Sequence, residues 1–161
     1  MIIIVSGTPG TGKTLVAKAL ATAMKHEYID VKRLISDRKL SQGYDRKRKC
    51  EIIDPKALNK ILIKLIKEDK ELVIDSHLSH YLPKRYVDRC IITTCSLSEL
   101  SRRLKKRGYS KEKVRENLDS EIFEVCRSEA LENGHRVVVL DTTKGYNMEA
   151  LIKKLRLAGA R

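Results

Sequence analysis

The chain of 161 residues has four cysteines, but no two of them form a C-x-x-C pair. The Cys and His spacing of a zinc site is missing too, so we expect neither a disulfide framework nor a structural metal centre. No apolar run is long enough to cross a bilayer, and no leader-like stretch precedes residue 7. We therefore expect a soluble, cytoplasmic protein with reduced thiols and no membrane partner.

Internal repeats and low-complexity linkers are also missing from the sequence. A chain of this length is large enough to bury a core of its own. We therefore expect residues 1–161 to form one domain.

What the chain does contain is an uninterrupted match to G-x-x-x-x-G-K-[ST] at residues 7–14. Apolar residues 2–5 precede the match and a helical pattern follows it, which is the context of a phosphate-binding P-loop. Its glycines let backbone N–H groups point at phosphate oxygens, and the following helix adds the positive end of its dipole. Lys13 adds a charge for the β- and γ-phosphates, and Thr14 a hydroxyl for Mg²⁺. The motif predicts a nucleoside triphosphate site.

Strand and helix patterns alternate along the chain. The strands are predicted at residues 2–6, 27–30, 71–75, 90–93 and 136–141. Helices are predicted after the P-loop, from Pro55, from Ser96 to Gly108, from there to about residue 133, and at 148–157. The core stripe of the first helix is predicted to contain Leu15, Ala19 and Ala23 beside Val16, Leu20 and Met24. This alternation predicts a parallel sheet with helices on both faces, and residues 31–53 as an insertion over it.

Positive charge is in excess, with a formal net charge of +13. Residues 32–49 carry eight basic residues against two acidic ones, and residues 102–115 carry eight against one, which together account for the whole excess. Charge concentrated in this way indicates binding of a polyanion, either nucleotide phosphates or a nucleic-acid backbone. The alternative is a solvated surface rich in ion pairs.

A P-loop kinase or ATPase also needs a carboxylate at the end of a strand near the loop. Asp75 and Asp141 both end predicted strands. Asp75 is followed by Ser76 and His77 at the strand end where ligands bind in open α/β sheets, whereas Asp141 opens a stretch typical of a turn. We assign the metal role to Asp75. His77 is either near the phosphates or a satisfied structural group, and His80 is interpreted as structural.

Several motifs occur together with the P-loop: Gln42-Gly43-Tyr44-Asp45, Asp75-Ser76-His77, Arg107-Gly108-Tyr109, and Glu116-Asn117 with Glu121. In this order, over essentially the whole chain, they resemble the small atypical adenylate kinase family of archaea and eukaryotic nuclei. Members of that family are also factors in maturation of the small ribosomal subunit. The resemblance implies an α/β nucleoside monophosphate kinase fold with a five-stranded parallel sheet. It also implies a monophosphate-binding segment at 30–53 and a short lid at 106–116.

The resemblance further implies roles for single residues. The ATP phosphates would be bound by Gly10, Thr11, Gly12, Lys13, Thr14, the backbone of Leu15 and Arg107. AMP would be bound by Arg33, Arg38 and Tyr44, and Mg²⁺ by Thr14 and Asp75. The catalytic set would be Lys13, Asp75, His77, Arg103 and Arg107. Ser36 and Thr94 stand where the family pattern has arginines, so the acceptor half departs from that pattern.

The function implied by the resemblance is that of a Mg²⁺-dependent ATP:AMP phosphotransferase with ATPase activity. The protein would be a monomer that also acts in small-subunit maturation, with a small-subunit ribosomal protein and rRNA as partners. The alternative is a ribosome-assembly ATPase that binds a small-subunit ribosomal protein and has little AMP kinase activity. A metabolite kinase of the same fold is disfavoured by the motifs at 42–45 and 75–77.

Overall fold

Five parallel strands form the central sheet of the protein, whose residues 1–46 and 50–157 are described by this computed structural model. Numbered along the chain and listed in spatial order, they are β2 (Glu27–Asp30), β5 (Leu72–Asp75), β1 (Ile3–Gly7), β6 (Arg89–Thr94) and β7 (Val137–Asp141). The central strand β1 pairs with β5 up to Val5 and Asp75, and with β6 up to Gly7 and Thr93. The P-loop therefore leaves the middle of the sheet beside the end of β5.

Helices cover both faces of this sheet, as the sequence predicts. On one face, α1 (Lys13–Met24) and α7 (Met148–Leu157) pack against Ile3 and Val5. On the other face, Ile2 and Ile4 pack against three helices: α2 (Val31–Asp37), α3 (Pro55–Glu68) and α6 (Val125–Glu132). Successive side chains of a strand point to opposite faces, so β1 contributes to both cores. A third, smaller core joins α4 (Leu97–Lys106) to α5 (Lys111–Ile122). The predicted α/β fold with a five-stranded parallel sheet is confirmed.

Two helix starts follow directly from their capping residues. The Asp54 side chain accepts a hydrogen bond from the Lys56 N–H at 2.9 Å, with Pro55 in the first turn. At the start of α4, the Ser96 hydroxyl accepts from the Glu99 N–H, as its capping-box spacing predicts. No helix among residues 1–46 and 50–157 is long and apolar enough to span a bilayer.

Two helix predictions are wrong in detail. Leu15, Ala19 and Ala23 lie on the exposed side of α1, with Leu15 73% exposed, because the buried face runs through residues 16, 17, 20 and 21. The stripe starting at Leu15 is rotated by about 100° from that face. The single helix expected from residue 109 to 133 is instead the pair α5 and α6, separated at Glu124, whose φ is +49°. Ile122, at the end of α5, is 53% exposed.

The insertion at 31–53 consists of α2 and a hairpin that forms its own two-stranded sheet. Strands β3 (Ser41–Asp45) and β4 (Cys50–Ile53) pair antiparallel, with Ser41 opposite Ile53. The sequence reasoning did not predict this hairpin, because its strands carry no alternating apolar pattern. Part of the first basic segment, Lys47, Arg48 and Lys49, lies outside the described residues.

Candidate active site

The P-loop packs so tightly against its neighbours that two of its glycines cannot be replaced without a shift. A Cβ at Gly7 would clash with the carbonyl oxygen of Thr93 on β6. A Cβ at Gly10 would lie 2.8 Å from Leu100 and 3.0 Å from Leu104, because α4 packs directly on the loop. Both residues also have positive φ, +140° at Gly7 and +97° at Gly10, which favours glycine. The loop conformation is thus fixed by the strand on one side and by α4 on the other.

Buried hydroxyl groups hold the loop from within. The Thr11 hydroxyl lies 2.7 Å from both the Thr8 carbonyl oxygen and the Thr93 hydroxyl, and Thr11 is fully buried. The Thr142 hydroxyl, from the loop after β7, donates to the Thr11 carbonyl at 2.7 Å. The side chain of Thr11, predicted to bind ATP, therefore braces the loop.

Lys13 lies inside the curve of the loop. Its ammonium donates to the carbonyl oxygens of Gly7 at 2.8 Å and Thr8 at 3.1 Å. Burial lowers the pKa of Lys13 to about 8, although the nearby Asp75 carboxylate acts in the opposite direction. The ammonium is therefore held by exchangeable hydrogen bonds at the position where the motif predicts phosphate oxygens.

The structure brings Thr14 and Asp75 together, as expected for a metal pair. The Thr14 hydroxyl donates to Asp75 Oδ2 at 2.7 Å, and the Tyr28 hydroxyl donates to the same oxygen at 3.0 Å. Asp75 is only 7% exposed. The pKa of Tyr28 is raised, mainly by its burial and further by the negative charge of Asp75. A hydroxyl and one carboxylate suit Mg²⁺, which takes few protein ligands and keeps several waters. Among the described residues no cluster of three Cys, His, Asp or Glu side chains forms a metal site of another kind.

His77 and Asp141 occupy different environments at the carboxyl edge of the sheet. The His77 side chain is exposed, but its pKa is lowered, mainly by desolvation from the surrounding protein and further by the positive charge of Lys13. Asp141 accepts from the Thr143 N–H at 2.8 Å and from the Thr143 hydroxyl at 2.5 Å, and these bonds lower the pKa of Asp141. Asp141 thus closes a turn, while His77 stays near the P-loop lysine.

The two predicted catalytic arginines differ in how they are held. Arg103 donates to Glu99 at 2.7 Å, to the Thr142 carbonyl at 2.9 Å and to the Gly10 carbonyl at 3.4 Å. It therefore joins α4 to the P-loop and to the loop after β7. Arg107 is exposed at the end of α4, close enough to Lys13 for its charge to contribute to the lowered pKa of Lys13. No described residue forms an ion pair with Arg107.

The predicted AMP residues lie on the insertion and are all exposed. Arg33 is on α2 and forms an ion pair with Asp37 at 3.5 Å. Arg38 follows α2, and Tyr44 on β3 is 58% exposed. No hydrogen bond joins any two of the three in the described structure. Leu15, whose backbone was predicted to contact ATP, follows Thr14 on the exposed side of α1.

Behind the P-loop lies a cavity of about 480 Å³ between β6, β7 and the junction of α5 with α6. Thr8, Cys95, Glu121 and Cys126 are among its lining residues. Glu121 accepts from the Cys95 N–H at 3.2 Å, and burial raises the pKa of Cys126 while the Lys13 charge opposes that rise. Thr8 of the P-loop thus shares this cavity with residues of α5 and α6, which lie far from it in sequence.

Sequence reasoning missed most of the residues that hold the site. They include Ser6, Tyr28, Thr142, Cys126 and Glu129. None belongs to a local motif, and their contacts depend on which strands and helices become neighbours. The last predicted strand could have indicated Thr142, because the loop after a parallel strand lies at the edge of the sheet where ligands bind.

Comparison with solved structures defines the fold. Shikimate kinase from Acinetobacter baumannii matches with a TM-score of 0.66 and 11% identity, covering 99% of this chain and 95% of that chain. The YorR protein of Bacillus subtilis, solved in complex with phosphorylated GDP, matches with a TM-score of 0.62 and 19% identity over 98% and 94% of the two chains. At these identities the likeness concerns the fold alone. The fold is that of the P-loop kinases.

Sequence comparisons give the family. A family model described as AAA domain matches residues 3–124. A protein of Thermococcus onnurineus named "Putative adenylate kinase" is 40% identical over 159 residues, and the match covers 96% of this chain and 82% of the Thermococcus protein. The "Adenylate kinase isoenzyme 6 homolog FAP7" of Saccharomyces cerevisiae is 33% identical, over 95% and 79% of the two chains. The chain belongs to this adenylate kinase-like family of nucleotide kinases.

Proposed function

We propose that the protein is a Mg²⁺-dependent ATP:AMP phosphotransferase with ATPase activity that also acts in maturation of the small ribosomal subunit. The observation that carries the phosphotransferase is the 2.7 Å contact between Thr14 and Asp75 near the partly buried Lys13 ammonium. These are the three groups that a P-loop kinase needs for a metal-bound triphosphate. The names of the relatives in archaea and yeast support AMP as the acceptor.

The reaction converts ATP and AMP into two ADP. A phosphate oxygen of AMP attacks the γ-phosphorus, the bond from that phosphorus to the β–γ bridging oxygen breaks, and the electron pair stays on the β-phosphate. Because the nucleophile is already an anion, no strong general base is needed, and catalysis depends on positioning and charge. Mg²⁺, when bound, neutralises charge on the phosphates. Thr14 and Asp75 would hold it.

The protein's own residues supply the rest. Lys13 exchanges its bonds to the Gly7 and Thr8 carbonyls for bonds to the β- and γ-phosphates. Arg107, unpaired among the described residues and adjacent to Gly108, closes over the phosphates with the lid at 106–116 and excludes water. Arg103 acts from its place against the Gly10 carbonyl, keeping the loop and α4 together. His77 lies beside Lys13 and contacts the transferred group.

The acceptor is bound by the segment at 30–53. Arg33 and Arg38 provide charge for the AMP phosphate, and Tyr44 provides an aromatic face for the base. Arg33 must give up its exposed pair with Asp37, which costs little because exposed ion pairs contribute about 0–1 kcal/mol.

The role in ribosome maturation rests on a separate observation. The exposed side chains of Lys105, Lys106, Arg107 and Lys111 lie on both sides of Gly108 and have no ion-pair partner among the described residues. Such a cluster suits rRNA or an acidic face of a ribosomal protein, and it equally supports an assembly ATPase with little AMP kinase activity. Binding to small-subunit rRNA should weaken with salt, with a slope of about 0.7–0.9 for each phosphate contacted.

Product analysis distinguishes these functions. Purified protein is incubated with ATP and Mg²⁺, with and without AMP, and ATP, ADP and inorganic phosphate are measured. The phosphotransferase gives two ADP for each ATP consumed when AMP is present, with little phosphate released. Equal amounts of ADP and phosphate, unaffected by AMP, would leave only the ATPase. Lys13→Ala serves as the control for contaminating activity.

A further inference from the structure

A line of hydrogen bonds outside the predicted site runs through the buried His80. The Ser6 hydroxyl lies 3.0 Å from His80 Nδ1, and His80 Nε2 lies 2.9 Å from Glu129 Oε2. Ser6 is fully buried and His80 is 2% exposed, whereas the Glu129 side chain is 35% exposed. Both ring nitrogens are therefore used, one by β1 and one by α6.

The surroundings of His80 define the direction of these bonds. Burial lowers the pKa of His80 although Glu129 acts against that shift, so the ring is neutral near pH 7. A neutral ring bonded to a carboxylate at Nε2 donates there and accepts the Ser6 proton at Nδ1. The other ionisable groups around it are His77, Tyr81, whose hydroxyl donates to Glu129 at 3.3 Å, and His135, which contacts the His80 carbonyl at 2.9 Å.

Both ends of the line lie at the walls of the P-loop. Ser6 immediately precedes Gly7, whose carbonyl accepts from Lys13. Glu129 lies one turn after Cys126 on α6, and Cys126 lies close enough to Thr8 and Lys13 for each to act on its pKa. His80 itself follows Asp75 by five residues. Three elements that form the triphosphate site therefore meet at this ring.

We propose that His80 is a positioning residue that holds α6 and the end of β1 in register, so that Thr8, Lys13 and Asp75 keep their places around the ATP phosphates. This inference rests on the proposed kinase function of the same site. It assigns to His80, Ser6 and Glu129 a role in turnover although none of them reaches substrate. Loss of either end should lower kcat more than it raises KM for ATP, since the phosphate-binding groups remain present but are misplaced.

The test changes the two ends of the line and leaves the buried ring intact. Ser6→Ala removes the bond to His80 Nδ1, and Glu129→Ala removes the bond to His80 Nε2 together with the bond from Tyr81. Ser6→Thr keeps a hydroxyl, and Glu129→Gln keeps an acceptor. Tyr81→Phe is the matched control, because it removes a bond to Glu129 that does not lead to the P-loop. We expect each alanine variant to lower kcat roughly tenfold, with KM for ATP changed less than about threefold. The two conservative variants and Tyr81→Phe should stay within about twofold of the wild type.

The double variant Ser6→Ala/Glu129→Ala shows whether the two ends act through His80. Because the residues do not touch, independent effects would multiply to about a hundredfold, whereas a shared line predicts a loss close to that of one single variant. Lower melting temperatures with unchanged kcat would make His80 merely structural and overturn the inference, as would a multiplicative double variant.

A readout independent of activity separates this inference from the proposed function. The backbone amide shifts of Gly7, Gly10 and Gly12 are recorded by NMR for the nucleotide-free protein. Glu129→Ala should move them and Tyr81→Phe should not. If the wild type turns over no ATP, the proposed function fails while this comparison still tests the coupling. Unmoved P-loop amides in Glu129→Ala would overturn the coupling itself.

Discussion

The triphosphate side of the candidate site is held by buried hydrogen bonds, whereas the acceptor side is exposed and loosely connected. Around the P-loop, Thr11 is fully buried and Asp75 is 7% exposed, and each makes two hydrogen bonds through its side chain. On the insertion, Tyr44 is 58% exposed, and Arg33 forms an exposed ion pair with Asp37 on its own helix. The proposed ATP half is therefore held in place by the protein's own contacts, whereas the side chains of the proposed AMP half are exposed and make few contacts.

The largest effect is expected for Lys13→Ala. The substitution removes the ammonium that donates to the Gly7 and Thr8 carbonyls and should lower kcat/KM for ATP by at least roughly a hundredfold. The fold should remain, because the lost bonds are to two carbonyls at an edge open to ligand. Steady-state kinetics together with circular dichroism check both parts. Unchanged turnover in a folded variant would remove the basis of the P-loop assignment.

Asp75→Asn should come next, with a loss of about a hundredfold in turnover. The amide keeps a partner for Thr14 but loses the charge that suits a divalent cation. Asp141→Asn is the matched control, since Asp141 ends an equivalent strand but its carboxylate is held by Thr143 in a turn. It should stay within about threefold of the wild type. A reversed order of the two variants would show that the wrong strand end was assigned.

Gly10→Ala should disturb stability more than chemistry. The added Cβ meets Leu100 and Leu104 within 3.0 Å, and the residue has a φ of +97°. Overpacking of this kind costs about 1–3 kcal/mol, so the free energy of unfolding in urea should fall by that amount. Gly145→Ala is a useful control, because its φ is also positive at +91° but its Cβ would meet nothing within 4 Å. Equal losses in both variants would mean that backbone strain and not packing is responsible.

The smallest effects belong to the acceptor half. Tyr44→Ala and Arg38→Ala should each raise KM for AMP about tenfold while leaving KM for ATP and the melting temperature unchanged, because both side chains are exposed. Kinetics with each nucleotide varied in turn provide the measurement. An equal rise in KM for both nucleotides would show that the two halves are not independent, and no change at all would place the AMP site elsewhere.

The difference between the halves also explains what the sequence could predict. The P-loop, the positions of the five strands along the chain and the neighbourhood of Thr14 and Asp75 follow from local motifs and from the parallel sheet. The bracing of Thr11 by Thr93 and Thr142 could not be predicted, because it joins residues up to 131 positions apart. Strands β3 and β4 lack a hydrophobic pattern, since most of their described side chains are exposed. His80 was interpreted as structural, since no local motif reveals that Ser6 and Glu129 are its neighbours in space.

Calorimetric titration of the nucleotide-free protein tests the central claim most directly. Mg·ATP and AMP are each titrated alone, and AMP is then titrated in the presence of a non-hydrolysable ATP analogue, with Lys13→Ala as the control. A preformed triphosphate site predicts that Mg·ATP binds by itself and that AMP binds more tightly once the analogue is present. Failure of Mg·ATP to bind, or equal binding to Lys13→Ala, would contradict the account.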